Sequence, residues 1–248
     1  MTPRQDRPVA LITGAARRVG AVIARTLHAA GYDLALHYRH SVDEARALAE
    51  ELQASRARSV LPVQADLADP AAPASSIESV VAHYGRLDAL VNNASAFFPT
   101  PVGDATQAQW ETLFASNARA PFFLSQAALP ALREARGSIV NLVDIYAERP
   151  LADHPLYCMA KAALAAMTRS LALDLAPEIR VNGVAPGAVM WPNDGKPCDD
   201  QQAMLARTPL KRAGTPEDVA ATVLWLLRDA PFVTGQIIRV DGGRTLSV

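Results

Sequence analysis

Seven short runs of apolar residues alternate with Ala-rich segments of helical periodicity along the 248 residues of the chain. The runs are rich in Val, Ile and Leu, which is typical of strands that are covered on both faces of a sheet. The alternation predicts one α/β domain over 1–248, with a doubly wound parallel sheet of about seven strands and helices on both faces. The predicted strands are 9–13, 33–38, 59–66, 87–94, 137–144, 179–187 and 235–243.

The least regular part of the chain is 188–215, which is rich in Pro, Gly and Asp. Its composition predicts a loop that contains one short helix. A loop of this length in a compact domain usually has a function, so we expect it to bind substrate.

Charge and cysteine content exclude several classes of protein. The net charge is −1 and Lys and Arg are scattered, so we predict no nucleic-acid partner. Cys158 and Cys198 form no CxxC or His/Cys cluster, which predicts no metal site. No apolar stretch has the length of a signal peptide or a membrane span. We therefore expect a cytoplasmic protein without a membrane partner.

The turn after the first strand has the sequence TGAARRVG, residues 13–20. Gly14 permits a sharp turn, and Gly20 permits close packing of the following helix. In a doubly wound fold this helix N-terminus binds the pyrophosphate of a dinucleotide. The alternative is an ordinary helix cap, but the strand–turn–helix–strand context favours a dinucleotide site.

The second strand ends in HYRHS, residues 37–41, where an NAD-binding chain would carry an acid for the adenosine ribose. Arg39, Ser41 and the nearby Arg17 suit a 2′-phosphate instead, because a guanidinium pairs with phosphate oxygens. This pattern predicts NADPH as the cofactor. The alternative is a solvated basic corner.

Tyr157 and Lys161 are four residues apart and share one face of a predicted helix. A neighbouring ammonium would lower the pKa of the tyrosine and let it exchange a proton near neutral pH. The alternative is an ordinary exposed pair. The nucleotide motifs favour a catalytic pair.

Several motifs in this order resemble the short-chain dehydrogenase/reductase family over essentially the whole chain. They are TGAARRVG, NNA at 92–94, Asn117, YCMAK at 157–161, PG at 186–187 and VDGG at 240–243. The resemblance implies a Rossmann-type fold, a nicotinamide cofactor and an oligomer, which we predict to be a homotetramer. It also implies that Asn117 holds a water that links Lys161 to solvent.

Two positions depart from the family pattern. Arg18 stands where the first motif normally has a glycine, and Asp144 stands where the family has a catalytic serine. Both departures occur together in the pteridine reductases. The chain is also similar to that group at LHYRHS, NNASAFFPTP and NLVD.

Asp144 changes the chemistry that the site can support. An ionised carboxylate cannot donate a hydrogen bond to a substrate carbonyl and would oppose a developing oxyanion. A C=N bond instead needs a proton on nitrogen, which an Asp can deliver directly or through water. The alternative is that Asp144 only caps the end of a strand in an inactive protein.

The resemblance and the motifs together predict the contacts. The catalytic residues are Asp144, Tyr157, Lys161 and Asn117. The substrate residues are Arg18, Ser95, Phe97, Asp144, Tyr157 and Trp191. We expect Phe97 to stack on a pterin, and the alternative is that it packs in the core. The cofactor residues are Gly14, Arg17, Arg18, Val19, Gly20, His37, Tyr38, Arg39, His40, Ser41, Asp66, Leu67, Asn93, Ala94, Ser95, Tyr157, Lys161, Pro186, Gly187 and Val189.

The leading hypothesis is an NADPH-dependent pteridine reductase that acts on dihydropterin or dihydrofolate. A carbonyl reductase of a 3-oxoacyl or sugar substrate is the alternative within the same family. A cofactor-binding protein without turnover is the third, and the intact Tyr157–Lys161 pair opposes it.

Overall fold

Seven parallel strands form one sheet in the computed structural model, which describes residues 7–189 and 198–247. The sheet order is β3-β2-β1-β4-β5-β6-β7, and all neighbouring strands are parallel. This order confirms the predicted doubly wound sheet. The strands are β1 (Val9–Ile12), β2 (Asp33–Tyr38), β3 (Val60–Gln64), β4 (Ala89–Asn92), β5 (Ser138–Leu142), β6 (Arg180–Pro186) and β7 (Ile237–Val240).

Eight α-helices lie in the described ranges. They are α1 (Arg18–Ala29), α2 (Val42–Ser55), α3 (Ala72–Tyr84), α4 (Gln107–Phe114), α5 (Ala120–Ala135), α6 (Pro155–Asp174), α7 (Cys198–Ala206) and α8 (Pro216–Arg228). A π-helical segment, Ala115–Arg119, joins α4 to α5. None of the described helices is long and apolar enough to cross a membrane.

The hydrophobic core lies on both faces of the sheet. Residues of α1, α2 and α8 pack on one face, where Ile12 and Leu36 point. Residues of α3, α5 and α6 pack on the other, where Leu11 and Ala35 point. Strand side chains alternate between these two apolar layers, which explains why most strand positions are apolar on both faces.

A buried polar chain crosses the sheet beneath its carboxyl edge. The Asn92 Nδ2 donates to Asn141 Oδ1 at 2.8 Å, and the Asn141 Nδ2 donates to Thr168 Oγ1 at 2.9 Å. All three residues are buried. The bonds fix the register of β4, β5 and α6, and α6 is the helix that carries Tyr157 and Lys161.

Strand ends differ from the predicted ranges because the carboxyl ends turn away from the sheet. β4 ends at Asn92 and β5 at Leu142, so Asn93, Ala94 and Asp144 belong to loops at the site. In its described part, segment 188–215 contains one short helix, α7, as predicted. Residues 190–197 lie outside the described residues, and the prediction for Trp191 falls there.

Candidate active site

A cavity of about 1310 Å³ opens at the carboxyl edge of the sheet, beside the point where the strand order reverses between β1 and β4. Ligands of doubly wound folds bind in this crevice. Most of the predicted site residues line it. The exceptions among the described residues are His40, Asn117, Lys161, Pro186 and Val189.

The first turn has no room for side chains at its glycines. Gly14 has φ +61°, and a Cβ there would lie 3.0 Å from the Cα of Ala94. A Cβ on Gly20 would lie 2.2 Å from the Gly14 carbonyl oxygen. Asn93 braces the turn, because its Nδ2 donates to the Thr13 and Gly14 carbonyls at 2.8 and 3.1 Å. The first turn of α1 therefore faces the cavity through its backbone, which suits a pyrophosphate.

Arg18 adopts φ +55°, in the left-handed region that favours glycine. This geometry explains why the family pattern has a glycine at the position. The side chain is exposed, lines the cavity, and has no hydrogen bond or ion pair to the described residues. It is therefore free to contact a ligand.

His37 holds the turn in place through both ring nitrogens. The Gly14 N–H donates to Nδ1 at 3.2 Å, and Nε2 lies 3.1 Å from the Ala65 carbonyl oxygen. These partners require the neutral tautomer with the proton on Nε2. Burial also lowers the pKa of His37 and favours this neutral form. His37 lines the cavity as predicted, but its hydrogen bonds go to the protein.

The corner beyond β2 carries the predicted basic residues. Arg17 lies 3.9 Å from Glu44, and Arg39 lies 3.8 Å from Asp66. Both arginines are more than half exposed in their side chains, so these pairs contribute little. Ser41 precedes α2 and makes no side-chain capping bond, which leaves its hydroxyl available.

Tyr157 and Asp144 are in direct contact. The Tyr157 hydroxyl donates to Asp144 Oδ2 at 2.7 Å, and the Tyr146 N–H donates to Asp144 Oδ1 at 2.9 Å. Asp144 therefore caps the short 3₁₀-helix Ile145–Ala147 and also accepts the hydrogen bond of the Tyr157 hydroxyl. Burial raises the pKa of Asp144 despite these hydrogen bonds, so the site favours a protonated carboxyl more than water does.

The prediction that Lys161 lowers the pKa of Tyr157 is wrong for the described site. The Lys161 Nζ donates to the Leu142 carbonyl at 2.7 Å and lies 5.8 Å from the Tyr157 ring centroid. Burial and then the charge of Asp144 raise the pKa of Tyr157 well above its usual range. Burial also lowers the pKa of Lys161 to about 8. The sequence showed the spacing of Tyr157 and Lys161, but it did not show that Asp144 accepts the hydrogen bond of the Tyr157 hydroxyl.

Asn117 lies behind the cavity wall in the π-helical segment and is fully buried. Its Nδ2 donates to the Leu113 and Ala96 carbonyls at 2.9 and 3.0 Å. The Ser95 hydroxyl donates to Asn117 Oδ1 at 2.7 Å. Asn117 thus fixes the loop after β4, and with it the predicted substrate residue Ser95.

Phe97 presents an open aromatic surface to the cavity. It is 48% exposed and meets Tyr157 edge-on, with ring centroids 4.8 Å apart. A stacked His154 lies 4.7 Å from it at an interplanar angle of 13°. The sequence analysis missed His154. It directly precedes α6, and no motif marks it, because its role depends on a contact with a distant loop.

The comparisons place this site in a known family. The family model described as enoyl-(acyl carrier protein) reductase matches residues 14–245. The chain is 40% identical to pteridine reductase 1 of Leishmania tarentolae, with 100% of this chain and 99% of that protein covered. It is 36% identical to granaticin polyketide synthase putative ketoacyl reductase 2 of Streptomyces violaceoruber, with 99% of each covered.

A third relative is a 3-oxoacyl-(acyl-carrier-protein) reductase of Staphylococcus epidermidis, at 35% identity with 94% of this chain and 97% of that protein covered. The chain belongs to the short-chain dehydrogenase/reductase family. It is accordingly an NAD(P)-dependent oxidoreductase, and its relatives include both pteridine and ketoacyl reductases.

Proposed function

We propose that the chain is an NADPH-dependent pteridine reductase, which reduces the C=N bond of dihydropterins, and of dihydrofolate, to the tetrahydro form. The observation that carries the proposal is the 2.7 Å hydrogen bond from the Tyr157 hydroxyl to Asp144. A carboxylate at this place makes a proton-delivering pair where ordinary family members have a serine that donates to a carbonyl.

The pair is suited to protonate a ring nitrogen. Burial raises the pKa of Asp144, which favours its protonated form more than water does. Tyr157 holds its proton firmly, because burial and Asp144 raise its pKa. Protonated Asp144 therefore supplies the proton to the ring nitrogen, directly or through water, and is left as a carboxylate that accepts the hydrogen bond of the Tyr157 hydroxyl. A negative Asp144 would oppose the oxyanion of a ketone reaction.

The cavity wall has the features that a flat heterocycle requires. Phe97 is 48% exposed and lines the cavity, and His154 stacks on its ring. Ser95 and Arg18 supply polar groups around it. These contacts support an aromatic, hydrogen-bonding substrate, which fits a pterin better than an aliphatic acyl chain.

The residues present fit a nicotinamide dinucleotide. The first turn of α1 would hold the pyrophosphate at Gly14 and Gly20, where side chains are excluded. The guanidinium groups of Arg17 and Arg39, with the free Ser41 hydroxyl, would hold a 2′-phosphate. When bound, the cofactor supplies the hydride. These groups support NADPH over NADH.

A reductase of 3-oxoacyl substrates is the second candidate. The relatives of the ketoacyl type, at 35% and 36% identity, favour it. Asp144 in its ionised form opposes it, because a carboxylate cannot donate to a carbonyl oxygen that develops negative charge.

The test is oxidation of NADPH by the purified chain with dihydrobiopterin, dihydromonapterin, dihydrofolate and a 3-oxoacyl thioester. We expect turnover of at least one pterin or folate at a higher kcat/KM than that of the thioester, and a lower KM for NADPH than for NADH. Turnover of the thioester alone would establish the second candidate. Comparable kcat/KM for NADH and NADPH would contradict the assignment of the 2′-phosphate site.

Substitution of Asp144 further distinguishes pterin reduction from carbonyl reduction. Asp144→Ser should lower pterin turnover by roughly 100-fold, the usual scale of a lost general acid. Asp144→Asn is the isosteric variant, because it keeps the shape of the side chain and removes the carboxyl proton. Full pterin activity in both variants would show that Asp144 does not deliver the proton.

Three further predictions belong to this proposal. The enzyme would act in the cytoplasm as a homotetramer. The segment 188–215 would bind substrate, with Trp191 at the far side of the pocket. Sedimentation of the purified chain and substitution of Trp191 by Ala are the direct checks, with a raised KM expected for the latter.

A further inference from the structure

Arg119 lines the cavity, and no step above uses it. It is the last residue of the π-helical segment Ala115–Arg119, and it is exposed. Its Nη2 donates to the Ala68 carbonyl at 2.6 Å, across 51 positions of the chain. Its side chain makes no other hydrogen bond and no ion pair to the described residues. A guanidinium has several N–H groups, so its charge and its remaining donors are available to a ligand.

The Ala68 carbonyl belongs to a turn after β3 that is fixed by its own hydrogen bonds. The Asp66 carboxylate accepts from the Ala68 N–H at 3.0 Å, and the Asp69 N–H donates to the Asp66 carbonyl at 2.9 Å. Asp66, Leu67 and Ala68 all line the cavity. The hydrogen bond from Arg119 therefore joins two walls at one end of the cavity, the turn after β3 and the π-helical segment.

This end of the cavity adjoins the corner that suits a 2′-phosphate. Arg39, beyond β2, lies 3.8 Å from Asp66, so the corner and the turn after β3 are neighbours. In a doubly wound fold the pyrophosphate lies at the turn after β1 and the adenosine ribose at the end of β2. The next strand outward in the sheet is β3. A base attached to that ribose would therefore lie between the turn after β3 and Arg119.

The two walls have the chemistry that a purine base requires. A guanidinium is planar and cationic, so it stacks on the face of an aromatic ring. Leu67 adds an apolar surface, and the exposed Asp66 carboxylate can accept a hydrogen bond from an exocyclic amine. Adenine has both a flat aromatic face and such an amine.

We propose that Arg119 is a cofactor-binding residue, whose guanidinium stacks on the adenine ring and closes this end of the cavity. The hydrogen bond to the Ala68 carbonyl orients the guanidinium for that contact. The proposal rests on the nicotinamide dinucleotide that the family uses, with or without a 2′-phosphate, and it does not depend on the pterin substrate.

The experiment compares ligands that share adenine and differ elsewhere. The Kd of the purified chain is measured for NADPH by fluorescence titration, and for NADH and adenosine 2′,5′-bisphosphate by displacement of NADPH. NADH lacks the 2′-phosphate, and the bisphosphate lacks the nicotinamide half. We expect Arg119→Met to raise all these Kd values by a common factor of roughly fivefold, the scale of one cation–π contact at an exposed site.

Arg119→Phe tests whether the contact is stacking or only the bond between the two walls. Phe has no donor for the Ala68 carbonyl but offers a ring that stacks on adenine, so it should restore most of the affinity that Arg119→Met loses. Equal losses in the Met and Phe variants would overturn the proposal. Arg133→Met is the matched control, because Arg133 is exposed on α5 and does not line the cavity, and its Kd values should equal those of the wild type.

The pattern across the ligands decides the outcome. A loss in Arg119→Met that spares NADH would assign the guanidinium to the 2′-phosphate, and a loss that spares the bisphosphate would assign it to the nicotinamide half. Either result overturns the proposal, as do wild-type Kd values for every ligand. The measurement uses no substrate, so a chain that reduces no pterin can still show the adenine contact, and the proposed function then fails alone.

Discussion

Arg18→Gly should weaken cofactor binding while it leaves the free energy of unfolding nearly unchanged. Arg18 has φ +55°, and its side chain is exposed without a hydrogen bond or ion pair to the described residues. The wild-type residue therefore carries backbone strain and gives no internal contact in return. Such strain is kept where a side chain is needed for function.

The magnitude follows from two opposing terms. A non-glycine residue in the left-handed region costs about 1 kcal/mol, which glycine would recover. Glycine loses about 0.5–1 kcal/mol through the greater freedom of the unfolded chain. The free energy of unfolding of Arg18→Gly should therefore lie within about 1 kcal/mol of the wild type. Loss of one charge-assisted contact to the cofactor costs about 1.5 kcal/mol, which raises the Kd for NADPH roughly tenfold.

The assay combines urea unfolding with fluorescence titration of NADPH. Arg136→Gly is the matched control, because Arg136 has φ +48° and an exposed side chain at the end of α5, and it does not line the cavity. It should show the same small change in stability and no change in Kd. An unchanged Kd in Arg18→Gly, or a loss of stability above about 2 kcal/mol, would refute the reasoning.

Three other outcomes are expected. His154→Ala removes the stacking partner of Phe97, worth about 1 kcal/mol, and should raise the KM for a pterin roughly fivefold while His154→Phe does not; equal KM values would contradict this role. Burial lowers the pKa of Lys161 to about 8, so the residue costs stability below that pH and the cost fades up to its ordinary value of 10.5. In unfolding experiments without ligand, the free energy of unfolding of Lys161→Met minus that of the wild type should fall as the pH rises through this range. A difference that does not change with pH would exclude the lowered pKa. Thr215→Ala removes the N-cap of α8, where Thr215 and Asp218 form a capping box, and should cost about 1 kcal/mol in urea unfolding; no loss would show that the cap is dispensable.

Local sequence signals predicted the fold well because both sheet faces are covered. The apolar runs become strands, and the predicted order of strands and helices appears in the sheet. The ends of β4 and β5 were placed about two residues too late, because Asn92 and Leu142 are followed by residues that turn into the site. Periodicity does not show where hydrogen bonding to a neighbouring strand ends.

The parts of the site that were missed depend on contacts between distant segments. His154 and Phe97 meet across 57 positions of the chain, and no local pattern connects them. The direction of the Tyr157 pKa was wrong, because the helical spacing to Lys161 is visible in the sequence whereas burial and the bond to Asp144 are not. Arg18 was recognised as a departure, but its left-handed backbone appears only in the structure.

The buried chain from Asn92 through Asn141 to Thr168 has a consequence for how such a scaffold diversifies. Thr168 lies about three helical turns from Tyr157 along α6, so its bond to Asn141 prevents the helix from sliding along β5. The position of Tyr157 relative to the sheet is therefore set by buried side chains and not by the loops. Substitutions on the rim can alter which molecules enter without displacing that face. A scaffold with this separation can exchange one substrate for another while its reaction stays the same.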